Sequence, residues 1–172
     1  IKEQIIENKD SALRELTKTF DSVDLSSLKV DKINIKNAYK KVDNDYVTAL
    51  KTAAKNIHEY HKKQIPNNWE DSNSDRTYGV QFTALESVGL YVPGGRAAYP
   101  SSVLMTAIPA NIAGCERIVM VSPPTGGEIP AAVLVAADIA GVSEIYQVGG
   151  AQAVFALAFG TESIQAVDKI VG

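Results

Sequence analysis

From Val88 to Val171 the chain alternates short apolar runs with apolar helical segments, and this alternation limits the fold more than any other feature. The pattern predicts strands at Val88–Val92, Arg117–Val121, Glu144–Val148 and Asp168–Val171. It places helices between them at Ser101–Gly114, Glu128–Ala140 and Gly150–Phe159. A strand–helix–strand order needs crossover connections, which put parallel strands in one sheet and helices over its faces. The strands are apolar throughout, as burial on both faces requires. The expected class is therefore α/β: a helical N-terminal segment followed by a parallel-sheet, incomplete Rossmann-like three-layer domain. Pro109 lies inside the first of these helices, where it is expected to kink or shorten it.

Before residue 80 the character changes. Most of the Lys, Asp and Glu residues lie in this half, in helical patterns. Asp10–Phe20 sets Leu13, Leu16 and Phe20 on one face behind Asp10 as an N-cap. A short helix is expected over Ile33–Val42. A longer one is expected over Asp45–Lys63, with Val47, Leu50, Ala54, Ile57 and His61 along its inner stripe. Pro66–Asp75 reads as an aperiodic polar connector, with Trp69 anchoring it to the helices. Tyr78–Leu85 alternates in part, through Val80 and Phe82, and reads as a half-buried strand. The expected division is 1–86, a helical segment with connector and strand belonging to a larger domain, and 87–172, a nucleotide-binding domain.

Two strand-to-helix turns carry Gly-Gly pairs: Tyr91-Val92-Pro93-Gly94-Gly95 and Val148-Gly149-Gly150-Ala151-Gln152. In a parallel sheet such turns lie beyond the carboxyl ends of the strands, where ligands bind. Glycine there lets backbone approach a ligand, and helix-opening amides favour anions. Tyr91 offers a ring and a hydroxyl, and Gln152 an amide that donates and accepts. An alternative stands beside this: the glycines only make tight turns, Tyr91 is core, and Gln152 caps its helix. A full G-x-G-x-x-G fingerprint is absent.

Other chemistry is sparse. Cys115, the one cysteine, has no visible activating neighbour and reads as a small buried thiol. A single cysteine also fits a reducing, cytoplasmic setting. His58 and His61 stand three apart on one helix without further ligands and read as packing residues, as do Tyr39, Tyr46 and Tyr60. Lys40-Lys41 and Lys62-Lys63 read as solvated faces. No catalytic residue and no metal ligand is assigned. A net charge of −3 gives no reason to expect nucleic acid. The uncharged stretches are broken by Pro, Asn, Gly and Gln, so no membrane span is expected. A first residue other than Met and an apolar run ending at Gly172 are what is expected of a piece of a longer protein, cut at both ends.

The run SVGLYVPGGRAAYPSSVLMTAIPANIAGCERIVMVSPP, with QVGGAQAVFALAFGTESI and VDKIVG after it, resembles the histidinol dehydrogenase family. Asp10-Ser11-Ala12-Leu13, Phe20-Asp21 and Lys55-Asn56-Ile57 with His61 extend the resemblance into the helical half. Three features depart from the family pattern. Lys9 stands where Gly is usual, Thr83-Ala84 where Arg-Pro is frequent, and Cys115 where many members have Val. The resemblance implies oxidation of L-histidinol through L-histidinaldehyde to L-histidine, the final steps of histidine biosynthesis, using two NAD per turnover and a zinc ion. It implies that Tyr91 and Gln152 contact NAD, and that the zinc ligands, a third NAD contact and a Glu-His acid–base pair lie outside this sequence. It also implies a homodimer, and a piece of the enzyme that is inactive alone. Two alternatives from other classes remain: a stand-alone nucleotide-binding module without catalysis, and a helical interaction protein in which residues 1 to 65 form a dimerising arm. An aldehyde dehydrogenase relative competes among enzymes, but it would expect a reactive thiol.

Overall fold

A computed structural model describes residues 1–95 and 97–172. Helices α1 (Lys2–Asp21), α2 (Lys32–Ala38) and α3 (Asn44–His61) come first, followed by strands β1 (Trp69–Ser72) and β2 (Thr77–Val80). The remainder alternates β3 (Ser87–Tyr91), α4 (Pro100–Ile112), β4 (Arg117–Val121), α5 (Ala131–Ile139), β5 (Glu144–Tyr146), α6 (Gly150–Phe159) and β6 (Lys169–Val171). Strands β3 to β6 form one parallel sheet in the order β5-β4-β3-β6.

The pleat sorts side chains between two cores. Val88, Leu90, Ile118, Met120 and Ile145 pack with α4 and α5, and α2 and α3 cover that layer. Val119, Val121 and Tyr146 face the other way, against α6 and α1. Gly89 faces α6 as well, because a Cβ there would stand 2.9 Å from the Leu157 side chain. The helical half shares both cores with the sheet. It also pairs with the sheet edge: Val30 N–H donates to Ile145 C=O at 2.9 Å, and Gln147 N–H to Leu28 C=O at 2.9 Å.

Helix α4 runs through Pro109 without being shortened. The bond Pro109 cannot donate would have ended on the carbonyl of Met105, one turn back. Met105 is 57% exposed, so this face of the helix is turned to solvent. Pro100 opens the same helix at a position where its missing N–H costs nothing.

Five expectations need correction. The segment read as a connector is half of an antiparallel hairpin, in which Trp69 pairs with Val80 and Ser72 with Thr77. Its turn is held by Asn73 Oδ1, which accepts from the amides of Asp75 and Arg76 at 3.0 and 3.1 Å. Trp69 does not anchor anything to the helices. It is 52% exposed and meets the edge of Tyr78 at 6.1 Å between centroids. The strand expected to be half-buried, β2, is exposed along its length, as is Phe82. Phe20 is 60% exposed, although Leu13 and Leu16 of the same stripe are buried.

Asp10 is the fifth correction. Helix α1 begins at Lys2 and is kinked at Lys9, which sits at φ 47° and ψ −121°. Instead of capping its own helix, the Asp10 carboxylate accepts from the amide and hydroxyl of Ser163. The kink exposes the Asp10 amide, which donates to Glu162 Oε2 at 2.9 Å. Burial works to raise the Asp10 pKa, but the hydrogen bonds from Ser163 and Thr161 outweigh it and leave the carboxyl below its ordinary value.

Candidate functional site

All four strands of the sheet run the same way, so Tyr91, Val121, Tyr146 and Val171 end at one rim. Strand β3 lies between its successor β4 and the last strand, β6. The chain therefore runs outward from β3 through β4 to β5 and then crosses back to β6 on the other side of β3, with α4 and α5 on one face and α6 on the other. This is the topological switch point at which open α/β sheets bind ligands. Tyr91 ends the strand at that point.

Three turns meet around Tyr91, and one proline sits between two of them. A Cβ on Gly94 would stand 2.5 Å from Pro123 Cγ, and one on Gly149 would stand 2.4 Å from Pro123 Cβ. Neither distance is possible for real carbon atoms, so the first glycine of each pair is required by contact with Pro123. The second glycine of each pair is required by backbone conformation: Gly95 has φ 119° and Gly150 φ 61°. The two Gly-Gly turns thus have one design, repeated on either side of the turn after β4. A Cβ on Gly172 would likewise lie 2.7 Å from the Tyr91 carbonyl oxygen, so β6 closes tightly on the same rim.

The structure brings the two residues singled out from sequence to this rim, in different ways. Tyr91 is half-buried, and its hydroxyl oxygen accepts from the Gly150 amide at 3.1 Å. That bond uses the hydroxyl as acceptor and leaves its proton for another group. Gln152 is 1% exposed, with Oε1 only 2.6 Å from where a Gly150 Cβ would lie. Its carboxamide is therefore folded beneath the turn. It does not cap α6, whose N-cap is Gly149 with no side-chain bond.

Sequence reasoning missed two residues here. Pro123 was legible only as part of a Pro-Pro turn. Ser122 is buried at the end of β4, and its Oγ has no hydrogen-bond partner among the described residues. A buried hydroxyl without a partner typically costs about 1–3 kcal/mol, and Thr17 Oγ1 and Asp21 Oδ2 on α1 are unpartnered in the same way.

The remaining candidates stay apart from the rim. Cys115 is buried, and burial together with the nearby Asp168 charge pushes its thiol up, away from nucleophilic reactivity. It lines an apolar cavity of about 560 Å³ with Ile65, Phe82, Leu85 and Met105 on the α4 side of β6. His61 Nδ1 lies 2.7 Å from Gln64 Oε1, and His58 is exposed. Lys41 pairs with Glu128 at 2.8 Å on the surface. Among the described residues no group of three or more His, Cys, Asp or Glu could hold a metal ion. None of their helices is long and apolar enough to cross a membrane.

A family model described as histidinol dehydrogenase matches residues 1–172. Curated histidinol dehydrogenases from Clostridium acetobutylicum and Caldanaerobacter subterraneus are 54% and 55% identical over 172 residues, each alignment covering 99% of this chain. A crystal structure of histidinol dehydrogenase from Elizabethkingia anophelis superposes with a TM-score of 0.95 at 37% identity, covering 99% of this chain. In each case the chain spans 40% of the relative's length.

Proposed function

The chain belongs to the histidinol dehydrogenase family, and on that premise we propose that it supplies the coenzyme-binding rim of an enzyme oxidising L-histidinol through L-histidinaldehyde to L-histidine. The observation that carries the reading is Tyr91. It ends the switch-point strand with its hydroxyl held by Gly150, between the two glycine turns. Residues 87–172 form the NAD-binding unit, and residues 1–86 contribute to a larger domain.

NAD, when bound, accepts a hydride at each of the two oxidation steps. Tyr91 donates its free hydroxyl proton to an acceptor on the coenzyme. The Gly150 amide fixes the direction of that donation, because the phenol oxygen already accepts from it. Gln152, whose carboxamide lies under the Gly150 turn, is the second residue assigned to the coenzyme. The residues described here do not fit a zinc centre, so no step is assigned to that ion and no catalytic acid or base is placed on this chain. The lone buried thiol agrees with a reducing cytoplasm, and the family reading includes a homodimer.

The test is titration of this chain with NADH, followed by amide chemical shifts. Weak binding that moves the signals of Tyr91, Gly150 and Gln152 is the expected result, with no histidinol-dependent NAD reduction by the chain alone. Unmoved rim signals would remove the coenzyme reading. Tight micromolar binding with full activity would contradict the assignment of catalysis to residues outside this chain.

A further inference from the structure

We infer that Pro123 is a positioning residue, a wedge that sets the spacing of the Tyr91 turn and the Gln152 turn and makes them one rigid coenzyme-binding unit. The inference rests on the reading of this rim as the NAD site. The observations behind it are contacts of the protein itself.

Three strands supply the three pieces. Strand β3 ends in the turn holding Gly94, β4 in Ser122-Pro123-Pro124, and β5 in the turn holding Gly149. Because β4 lies between β3 and β5, its turn is the only one flanked by both glycine turns. The strand ends are themselves tied, Val92 N–H donating to Val121 C=O at 2.9 Å and Ser122 N–H to Tyr146 C=O at 3.1 Å. Past those bonds no ladder continues among the described residues, and the pyrrolidine ring stands between the two turns. Its Cγ edge meets Gly94 and its Cβ edge meets Gly149.

Both glycines are small because of Pro123, whose ring makes the closest approach to each and whose backbone stands 3.1 Å from a Cβ at either position. The φ of Gly149 is −125°, which any residue adopts, and Gly94 is not among the residues with positive φ. Only the proline excludes a side chain at either position. The wedge has a direct consequence for the site, because the Tyr91 hydroxyl reaches the Gly150 amide across the same gap at 3.1 Å. A hydrogen bond of that length tolerates little change in turn spacing. The ring has few rotamers and a fixed φ, so it holds the distance better than a flexible side chain would.

Substitution can separate the two glycines, because Pro123→Ala removes Cγ and keeps Cβ. Gly94→Ala alone collides with Cγ, and the double variant with Pro123→Ala relieves that collision. Gly149→Ala collides with Cβ, so the same second substitution leaves it unrelieved. The experiment measures NADH affinity and amide shifts for the three single variants and both doubles. Pro123→Ala is expected to weaken NADH binding about tenfold in a protein that still melts cooperatively, since small misplacements of binding groups cost on that scale. Gly94→Ala/Pro123→Ala is expected to bind better than Gly94→Ala, while Gly149→Ala/Pro123→Ala gains nothing over Gly149→Ala.

Wild-type affinity in folded Pro123→Ala, or equal rescue of both glycine variants, would overturn the wedge. If the wild-type chain shows no NADH binding, the coenzyme reading fails and the wedge is judged without ligand. Pro123→Ala should then move the Gly95 and Gly150 amides together, and a shift confined to one turn would overturn it.

Discussion

The two rims of the parallel sheet are built on opposite plans. At the amino ends of the strands, polar side chains satisfy one another. Glu144 accepts from Arg117 at 2.7 Å, Lys29 at 2.9 Å and the Tyr146 hydroxyl at 2.6 Å. Asp168 accepts from the amide and hydroxyl of Ser87, both at 2.8 Å, tying β6 to β3. At the carboxyl ends the work is done by glycine backbone, one proline and a tyrosine hydroxyl, while the Ser122 hydroxyl stays unpartnered. Saturated hydrogen bonding fixes a structure, whereas unspent donors and acceptors are what a ligand can use. The amino rim is therefore expected to govern stability, and the carboxyl rim binding.

Removing the hub of the amino rim should have the largest effect. Glu144→Ala leaves Arg117, whose side chain is 20% exposed, without its carboxylate and the Tyr146 hydroxyl with one partner fewer. Losing one member of a largely buried pair costs about 3 kcal/mol. Urea unfolding should show that loss as a lower midpoint at unchanged slope, while the folded fraction binds NADH as before. If affinity fell together with stability, the separation of the two rims would be broken.

Acid probes the same hub. Burial works to raise the Glu144 pKa, but hydrogen bonds from Tyr146, Lys29 and Arg117 outweigh it and bring the group down from 4.5 to about 2. A depressed folded value means that the native state holds the proton less tightly than the unfolded chain does. The resulting stability is present in full above the unfolded value and is lost as pH falls from there toward about 2. At about 1.4 kcal/mol per unit it amounts to roughly 3 kcal/mol at most. Asp10 and Asp168, also depressed, lose their contributions in the same direction. Thermal melts between pH 6 and pH 2 check this (roughly the window that the linkage relation sets). A Glu144→Gln chain should show a shallower slope.

At the carboxyl rim the expected effect is smaller and falls on binding. Tyr91→Phe keeps the ring that packs against the α6-side core and removes only the hydroxyl. Loss of one hydrogen bond is worth about 1 kcal/mol, so NADH affinity should fall severalfold while the urea midpoint hardly moves. A large stability loss instead would make Tyr91 a core residue and blur the contrast between the rims.

Strand-to-helix alternation placed every strand of the parallel sheet, with β4 and α6 correct at both ends, because apolar runs between glycine and proline turns have no other stable use. The hairpin was illegible for the opposite reason. Its strands are exposed on both faces, so Trp69–Ser72 carries no period-two signal, and its turn depends on the Asn73 side chain. The rim was legible in part. The Gly-Gly pairs pointed to the correct edge, but glycine alone does not say whether ligand, φ or a neighbouring ring requires it. The role of Pro123 was illegible because it depends on turns from three different strands meeting, and the burial of Gln152 because it depends on how its side chain folds under Gly150.

Lys9 offers the smallest and cleanest test. The residue lies in the helical half, one position before the Asp10 carboxylate that clasps Ser163. Its φ of 47° with ψ of −121° lies in a region that side chains avoid and glycine does not. The sequence resemblance placed glycine at this position, and the kinked backbone gives the physical reason for that preference. The clasp overrides the strain, because Ile5 before the kink and Leu13 after it are both fully buried. Lys9→Gly should therefore relieve more strain than it adds in unfolded-state entropy, for a net gain of about 0.5–1 kcal/mol. The change lies far in sequence from the glycine turns, so NADH affinity should stay at the wild-type value. A destabilised Lys9→Gly chain would show that the kink is held by lysine contacts rather than imposed against its backbone preference.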